Sequence, residues 1–174
     1  SEIIARQVPN LRFVVPLAPS VDKALVEAIL ARAPFTFQLV SNRLHEVLKR
    51  STLLITASGT VTLEAAIAGT PMIIIYKVSR LSYWIGKHLI RVKHIGLPNL
   101  IAGRSIVPEL IQHEASSENI ARHALTLLQN QTARQKMHLQ LIRTAQTLGS
   151  PGASERAAKI ALSMLSLTKQ SDSV

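Results

Sequence analysis

The sequence predicts an α/β fold in which a mostly parallel sheet is flanked by helices and followed by a helical C-terminal part. Apolar runs typical of buried strands alternate with helical segments as far as residue 76. Strands of this kind pair in parallel, because the intervening helices cover both faces of the sheet. Beyond residue 79, helical patterns dominate. The 174 residues are enough for one domain with its own core.

Each element is predicted from a local pattern. β-Branched apolar runs that end at Pro or Gly predict strands, and periodic or capped segments predict helices. In the first long helix, Leu25 and Ile29 share one face while Asp22 and Glu27 point outward. The predicted strands are 11–19, 35–40, 52–57, 71–76 and 104–107, and the predicted helices are 21–33, 42–50, 59–69, 117–129, 131–147 and 154–167.

The stretch "LGSPGAS" at 148–154 breaks the chain and sets the domain boundary. Residues 1–150 are predicted to form one ligand-binding domain. Residues 151–168 are predicted to form a C-terminal helix, and residues 169–174 a disordered tail.

Composition narrows the classes of function. The formal net charge of +10 favours an anionic partner, such as a phosphorylated ligand or an acidic membrane surface. Only 3% of residues are aromatic, and no stretch interleaves them with Arg and Lys as single-strand binders do, so nucleic acid is not an expected partner. The absence of cysteine fits a reducing, cytoplasmic compartment and excludes thiolate metal sites, and no metal site is predicted.

The stretch "LITASGTVTLEAA" holds the first candidate site. A strand and a short turn place the start of the next helix at the carboxyl edge of a parallel sheet, where ligands bind. Ser58, Gly59 and Thr60 form this turn, and no acid follows until Glu64. Ser58 is expected to cap the helix and Gly59 to let an anion approach the backbone. The free N–H groups and the helix dipole then predict a phosphate or pyrophosphate site.

Glu64 lies one helical turn after Thr60, on the same face. Its carboxylate is expected to accept both hydroxyls of a ribose, so the two features together indicate a nucleoside diphosphate. A structural interpretation stays open, in which the turn is ordinary capping chemistry and Glu64 is a solvated residue. The pattern is neither a GxGxxG fingerprint nor a Walker loop.

Residues 83–116 form a second unusual segment, which begins with a basic helix that carries a tryptophan. Such a helix can lie on an anionic bilayer, with Trp at the headgroup level. The alternative is a helix that packs its apolar face on the sheet or on another subunit. The residues expected to face a membrane are Trp84, Lys87, Arg91 and Lys93.

The stretch "LPNLIAGR" at 97–104 is predicted to be a stiff loop with polar side chains. Asn99 offers both a donor and an acceptor, and Arg104 is long enough to reach a phosphate. The alternative interpretation is structural: Asn99 only closes a turn, and Arg104 pairs with Glu109. The residues alone leave both interpretations open.

Four features resemble the lipid-A-disaccharide synthase family. In chain order they are "ASGTVTLEAAIAGTPMIIIY" (57–76), the basic aromatic helix that follows it, "LPNLIAGRSIVPELIQ" (97–112) and "GASERAA" (152–158). The resemblance covers most of the chain. It implies that residues 1–150 are a Rossmann-like domain that binds a nucleotide sugar. Such a domain is the C-terminal half of a two-domain glycosyltransferase fold called GT-B.

The resemblance also implies roles for individual residues. Asn99 matches the asparagine of the family's "LPN" motif and is the one catalytic candidate in this sequence. Arg104 and Gln112 match motif positions, either as phosphate contacts or as structural residues. The residues that would bind UDP are Ser58, Gly59, Thr60, Glu64 and Asn99.

Enzymes of this family transfer a sugar from UDP-2,3-diacylglucosamine to 2,3-diacylglucosamine 1-phosphate and form the β-1,6 disaccharide of lipid A. They invert the anomeric centre, require neither a metal nor another cofactor, and act at the cytoplasmic face of the inner membrane. The resemblance therefore implies lipid A biosynthesis as the role and an anionic membrane surface as a partner.

One departure from the family limits the expected activity. The family carries a first strand and a "PGSR"-like loop before the first helix of this domain, whereas this sequence opens at "SEIIARQVPNL". That loop supplies an arginine, and the other half of the fold is expected to supply acceptor contacts and the general base. The six histidines here are scattered and offer no replacement base. The chain alone is expected to be inactive.

Two alternatives stay open. The chain could belong to another UDP-sugar enzyme of the GT-B type with a different acceptor. It could also be a non-catalytic module that docks on a membrane or a partner. The helices after 148–154 are expected to pack on this domain, on the other half of the fold, or on a second copy in a homodimer.

Overall fold

A computed structural model describes residues 1–78, 93–150 and 152–171. The helices are α1 Glu2–Gln7, α2 Lys23–Leu30, α3 Leu44–Arg50, α4 Thr60–Ile67, α5 Leu97–Ala102, α6 Ser117–Gln129, α7 Gln131–Gln146 and α8 Ala153–Ser171. The strands are β1 Phe13–Leu17, β2 Phe37–Ser41, β3 Leu54–Ala57, β4 Met72–Tyr76 and β5 Glu109–Ile111, and a 3-10 turn follows at Gln112–Glu114.

All strand pairs in the described part of the chain are parallel, and helices flank them, so the predicted α/β class is confirmed. The strands form two hydrogen-bonded sheets. In the first, β1 pairs with β2, with Phe13 opposite Phe37. In the second, β4 lies between β3 and β5, with Ile55 opposite Ile73 and Ile75 opposite Leu110. This architecture is that of half a Rossmann-like GT-B fold.

The core is centred on β4. Met72, Ile73 and Ile74 are fully buried, because β4 has a strand on each side and α4 and α6 pack on it. The helices contribute small or aliphatic residues to the same cluster, among them Ala66 of α4 and Leu141 of α7. The start of α4 is therefore held by a well-packed sheet.

The C-terminal helices confirm the predicted helical part. The Ser116 hydroxyl accepts a hydrogen bond from the Asn119 N–H, and the Asn130 side-chain oxygen (Oδ1) accepts one from the Ala133 N–H. These caps begin α6 and α7 within a residue of the predicted starts. The last helix, α8, ends at Ser171 rather than near 168, so part of the predicted tail is helical. Residues 172–174 lie outside the described residues.

Two predictions for the segment after residue 96 were wrong. Residues 97–102 are a helix rather than a loop, because Pro98 is accepted in a first helical turn and Gly103 ends the helix at φ 64°. The predicted strand at 104–107 is not a strand, and β5 lies at Glu109–Ile111 instead. The N–H groups of Ile106 and Val107 are bonded to the Asn99 side chain, which prevents them from pairing with a strand.

Among the residues that the structure describes, no helix is both long enough and apolar enough to cross a bilayer.

Candidate functional site

The first turn of α4 is open. Gly59 is its N-cap, its backbone is extended, and a Cβ built there would have nothing within 4 Å. No acidic side chain lies in this turn. Gly59 and Thr60 are exposed, and the Gly59 carbonyl accepts hydrogen bonds from the N–H and the hydroxyl of Thr62. The helix end therefore presents its N–H groups and positive dipole to solvent at the carboxyl end of β3.

Ser58 does not cap this helix, contrary to the expectation from the sequence. Its hydroxyl donates to the Ile95 carbonyl at 3.2 Å, and its N–H donates to the Ile75 carbonyl at 3.2 Å. Ser58 thus joins the turn to β4 and to the segment before α5. The capping position is left to Gly59, which has no side chain to occupy the site.

Glu64 is exposed on α4, one turn after Thr60. The neighbouring first-turn residue Thr62 is buried. The exposed carboxylate and the open helix end therefore lie on the outer side of α4, where a ligand can reach both.

Asn99 is fully buried, and the chain itself fills its hydrogen-bonding capacity. Its side-chain oxygen accepts from the Ile106 and Val107 N–H groups at 2.7 and 3.0 Å. Its side-chain nitrogen donates to the Val107 carbonyl at 2.9 Å and to Glu109 Oε1 at 2.7 Å. Asn99 therefore holds the backbone at Ile106 and Val107 and the Glu109 side chain in place.

Glu109 is the site residue that sequence reasoning missed. Its carboxylate accepts hydrogen bonds from the Ile95 N–H at 2.9 Å, the Gly96 N–H at 3.0 Å and the Asn99 side chain. The sequence interpretation had considered it only as a partner of Arg104, which is exposed in the turn after α5. The only signal in the sequence was a carboxylate directly after Pro108, within the motif at 97–112.

Gln112 makes a two-point contact with the backbone. Its side-chain nitrogen donates to the Val78 carbonyl and its side-chain oxygen accepts from the Val78 N–H, both at 3.1 Å. Such a contact imitates the pairing of one more strand residue after β4. Within the described residues, the Gln112 side chain thus holds the backbone of Val78 in place.

The remaining predicted site residues are those expected to face a membrane. Lys93 is exposed. Trp84, Lys87 and Arg91, which were predicted to face a membrane, lie outside the described residues.

The structure brings together two of the segments singled out from the sequence. The turn at 58–60 meets the segment at 95–112 through the hydrogen bond from Ser58 to Ile95 and the packing of α4 on α5.

Comparison with known proteins identifies the family. The family model described as lipid-A-disaccharide synthetase matches residues 2–164. This chain belongs to that family. The resemblance inferred from the motifs is therefore confirmed, and both long motifs of this lipid-A-disaccharide synthetase family member contribute residues to the contacts described above.

Several relatives within the family carry the name lipid-A-disaccharide synthase. The relative from Geobacter sulfurreducens is 43% identical over 90% of this chain, and that from Geobacter metallireducens is 41% identical over 95%. The relative from Syntrophus aciditrophicus is 39% identical over 99% of the chain. The matched regions are 41%, 43% and 44% of these relatives' lengths, so the chain spans about two fifths of each.

Proposed function

We propose that this chain is the donor-binding part of a lipid-A-disaccharide synthase and that the open end of α4 holds the diphosphate of UDP. The observation that carries the proposal is an acid-free first helical turn whose N-cap is an unobstructed glycine at the carboxyl end of a parallel strand. Helix N–H groups and the dipole favour a phosphate at such a position.

The nucleotide would extend from this turn along the outer side of α4. Glu64 is exposed one turn away, and its two carboxylate oxygens suit the two hydroxyls of a ribose. Asn99 and Glu109 would support the site from behind rather than touch the nucleotide, since their polar atoms are bonded within the chain. Arg104 is exposed and has the length and charge to reach a phosphate.

The chemistry proposed for the whole enzyme is sugar transfer from UDP-2,3-diacylglucosamine to 2,3-diacylglucosamine 1-phosphate in lipid A biosynthesis. The part of this chemistry assigned to the present chain is stabilisation of the leaving UDP. Preorganised N–H groups aimed at the diphosphate stabilise the charge that develops as the glycosidic bond breaks. The acceptor contacts and the general base would come from outside this chain.

The net charge of +10 supports a place at an anionic membrane surface, and we propose the cytoplasmic face of the inner membrane. Both proposed substrates are acylated and phosphorylated, and therefore reside in such a surface. The side chains of α8 are exposed from Ala153 to Met164. We propose that a second copy of the chain covers this helix in a homodimer.

Calorimetric titration of the purified chain with UDP at low salt tests the proposal, with Gly59→Ala and Glu64→Ala alongside. A methyl group at Gly59 meets no atom of the chain and the extended backbone accepts alanine, but alanine is a poorer N-cap than glycine, so the melting temperature is expected to fall only slightly. The UDP affinity of both variants is expected to fall at least about tenfold.

Glu155→Ala, on α8, is the control for loss of a surface carboxylate and is expected to bind UDP like the unmutated chain. Thr60→Val tests the hydroxyl in the first turn and is expected to weaken binding less than Gly59→Ala, because it removes one hydroxyl and leaves the open space at Gly59 unchanged. The proposal is contradicted if the unmutated chain does not bind UDP, or if Gly59→Ala and Glu64→Ala bind it unchanged.

A further inference from the structure

The Glu109 carboxylate lies where three donors converge. Oε1 accepts from the Gly96 N–H at 3.0 Å and from the Asn99 side-chain nitrogen at 2.7 Å, and Oε2 accepts from the Ile95 N–H at 2.9 Å. Glu109 begins β5 and lies opposite Ile74 of β4. A residue of the packed sheet thus fixes the backbone that enters α5.

The same backbone contacts the proposed diphosphate site. The Ile95 carbonyl, one residue before Gly96, accepts the hydroxyl of Ser58 at 3.2 Å. Ser58 directly precedes the N-cap Gly59. Two hydrogen bonds, one to each backbone group of Ile95, therefore connect Glu109 to Ser58, the residue next to the open end of α4.

Gly96 is closely surrounded at this contact. A Cβ at Gly96 would overlap Ile74 Cδ1 and lie 3.1 Å from Glu109 Oε1. The Gly96 backbone thus lies close to a buried side chain of β4 and to the carboxylate, in a space that suits glycine. A change at Glu109 acts on Ile95 and Gly96 directly, because their N–H groups donate to its carboxylate.

We propose that Glu109 is a positioning residue for the diphosphate site: by holding Ile95 and Gly96 it sets the position of Ser58 and of the first turn of α4. This inference rests on the proposed function. A carboxylate is required because both of its oxygens accept. An amide in its place would direct an N–H group at a donor in either orientation.

The test compares Glu109→Gln with Glu114→Gln by UDP calorimetry on the full chain, well below the melting temperature of each variant. Glu114 is a matched control, since it is an exposed carboxylate five residues away in the same segment. Glu109→Gln is expected to lower the affinity for UDP about tenfold or more, and Glu114→Gln to leave it within about twofold.

A spectroscopic measurement separates positioning from general loss of structure. In the ligand-free chain, Glu109→Gln is expected to shift the amide resonances of Gly59 and Thr60, while those of Ala124 and Leu141 in the core stay in place. If Glu109→Gln does not fold, Ser58→Ala removes only the hydroxyl bond to Ile95 and is expected to weaken UDP binding in the same direction.

The outcomes distinguish this inference from the proposed function. An unmutated chain that releases no heat with UDP contradicts the proposed function itself. Equal UDP affinities of the unmutated chain and a folded Glu109→Gln contradict only the role of Glu109, and so do unchanged Gly59 and Thr60 resonances. If only Ser58→Ala folds, an unchanged affinity in that variant overturns the inference.

Discussion

Two strand–helix–strand units of the same parallel topology differ sharply in burial. In the first, β1–α2–β2, the helix has no buried residue, and Leu25 and Ile29 on its apolar face are 59% and 63% exposed. In the second, β3–α4–β4, Ala65 and Ala66 of the helix are fully buried. The two units have similar sequence patterns, so the pattern specifies the element but not what covers it.

The difference has a structural cause. The second unit belongs to a three-stranded sheet, and α4 packs against α5 and α7. The first unit is a two-stranded sheet in which three half-buried rings, Phe13, Phe35 and Phe37, pack together with centroids 4.8 to 5.5 Å apart. Within residues 1–50, only Ile4 and Leu48 are buried. The proposed nucleotide site lies on the well-packed unit, whose strands and helices can hold it rigidly.

The largest effect on stability is expected from a substitution in the core of the second unit. Ile73→Ala removes a fully buried side chain at the centre of β4 and is expected to cost about 2–5 kcal/mol of the free energy of unfolding, because a cavity remains. Ile29→Ala, the same substitution on the exposed face of α2, is expected to cost less than about 0.5 kcal/mol. Urea denaturation of the two variants measures both values, and similar losses would show that α2 is as well packed as β4.

A second effect concerns the link between α4 and α7. Gly69 has φ 70°, and a Cβ there would lie 2.6 Å from the His138 ring and 2.9 Å from Ile142 Cδ1. Gly69→Ala is therefore expected to lose about 1–3 kcal/mol from strain and displacement of α7.

Gly149→Ala is the control for this substitution, since Gly149 has a similar φ of 82° and nothing within 4 Å of a Cβ. It carries the backbone strain without the steric overlap and is expected to lose about 1 kcal/mol. Thermal melts of the two variants give the comparison. Equal losses would mean that α7 does not press on Gly69.

A smaller effect depends on pH. Partial burial, and then the charge of Arg122, lower the pKa of His123 on α6. The folded state resists protonation of His123. The free energy of unfolding is therefore highest above about pH 6.5, and it decreases as the pH falls from that value through the lowered pKa of the folded state. His123→Gln is expected to flatten the decline of the urea midpoint between pH 7.5 and 5, and Arg122→Gln to flatten it in part. A decline of unchanged slope in His123→Gln would refute this contribution.

The smallest effect on stability is expected from a substitution on the exposed helix of the first unit. Leu25→Gln places a polar group on the exposed face of α2 and is expected to change the free energy of unfolding by less than about 0.5 kcal/mol. Equilibrium denaturation measures it. A loss above 2 kcal/mol would indicate that this face is covered in solution, for example by a second copy of the chain.

Most of the helices and strands could be predicted from the sequence because their patterns are local. The helix at 117–129 was predicted to the residue, since a serine cap and an amphipathic stripe define it. The prediction of a strand at 104–107 was wrong because the side-chain oxygen of Asn99 accepts the N–H groups of Ile106 and Val107. The helix α5 was missed because Pro98 and Gly103 also mark loops.

The turn at 58–60 could be recognised as a potential anion site from its residue types alone. Its support could not, because the bond from Ser58 to Ile95 spans 37 residues and depends on how two segments meet at the sheet edge. The sequence suggested a capping role for Ser58 and an ion pair for Glu109, whereas the structure uses both to hold backbone. Contacts of this kind follow from packing rather than from spacing.

The most direct test of the nucleotide site is a map of backbone amide shifts while UDP is added to the isotopically labelled chain. The donor-site proposal predicts that the amides of Gly59, Thr60 and Val61 shift first and furthest, and that those of α2 stay in place. Shifts centred elsewhere, for example in the groove between α1 and α6 that Gln7 and Arg122 line, would contradict it.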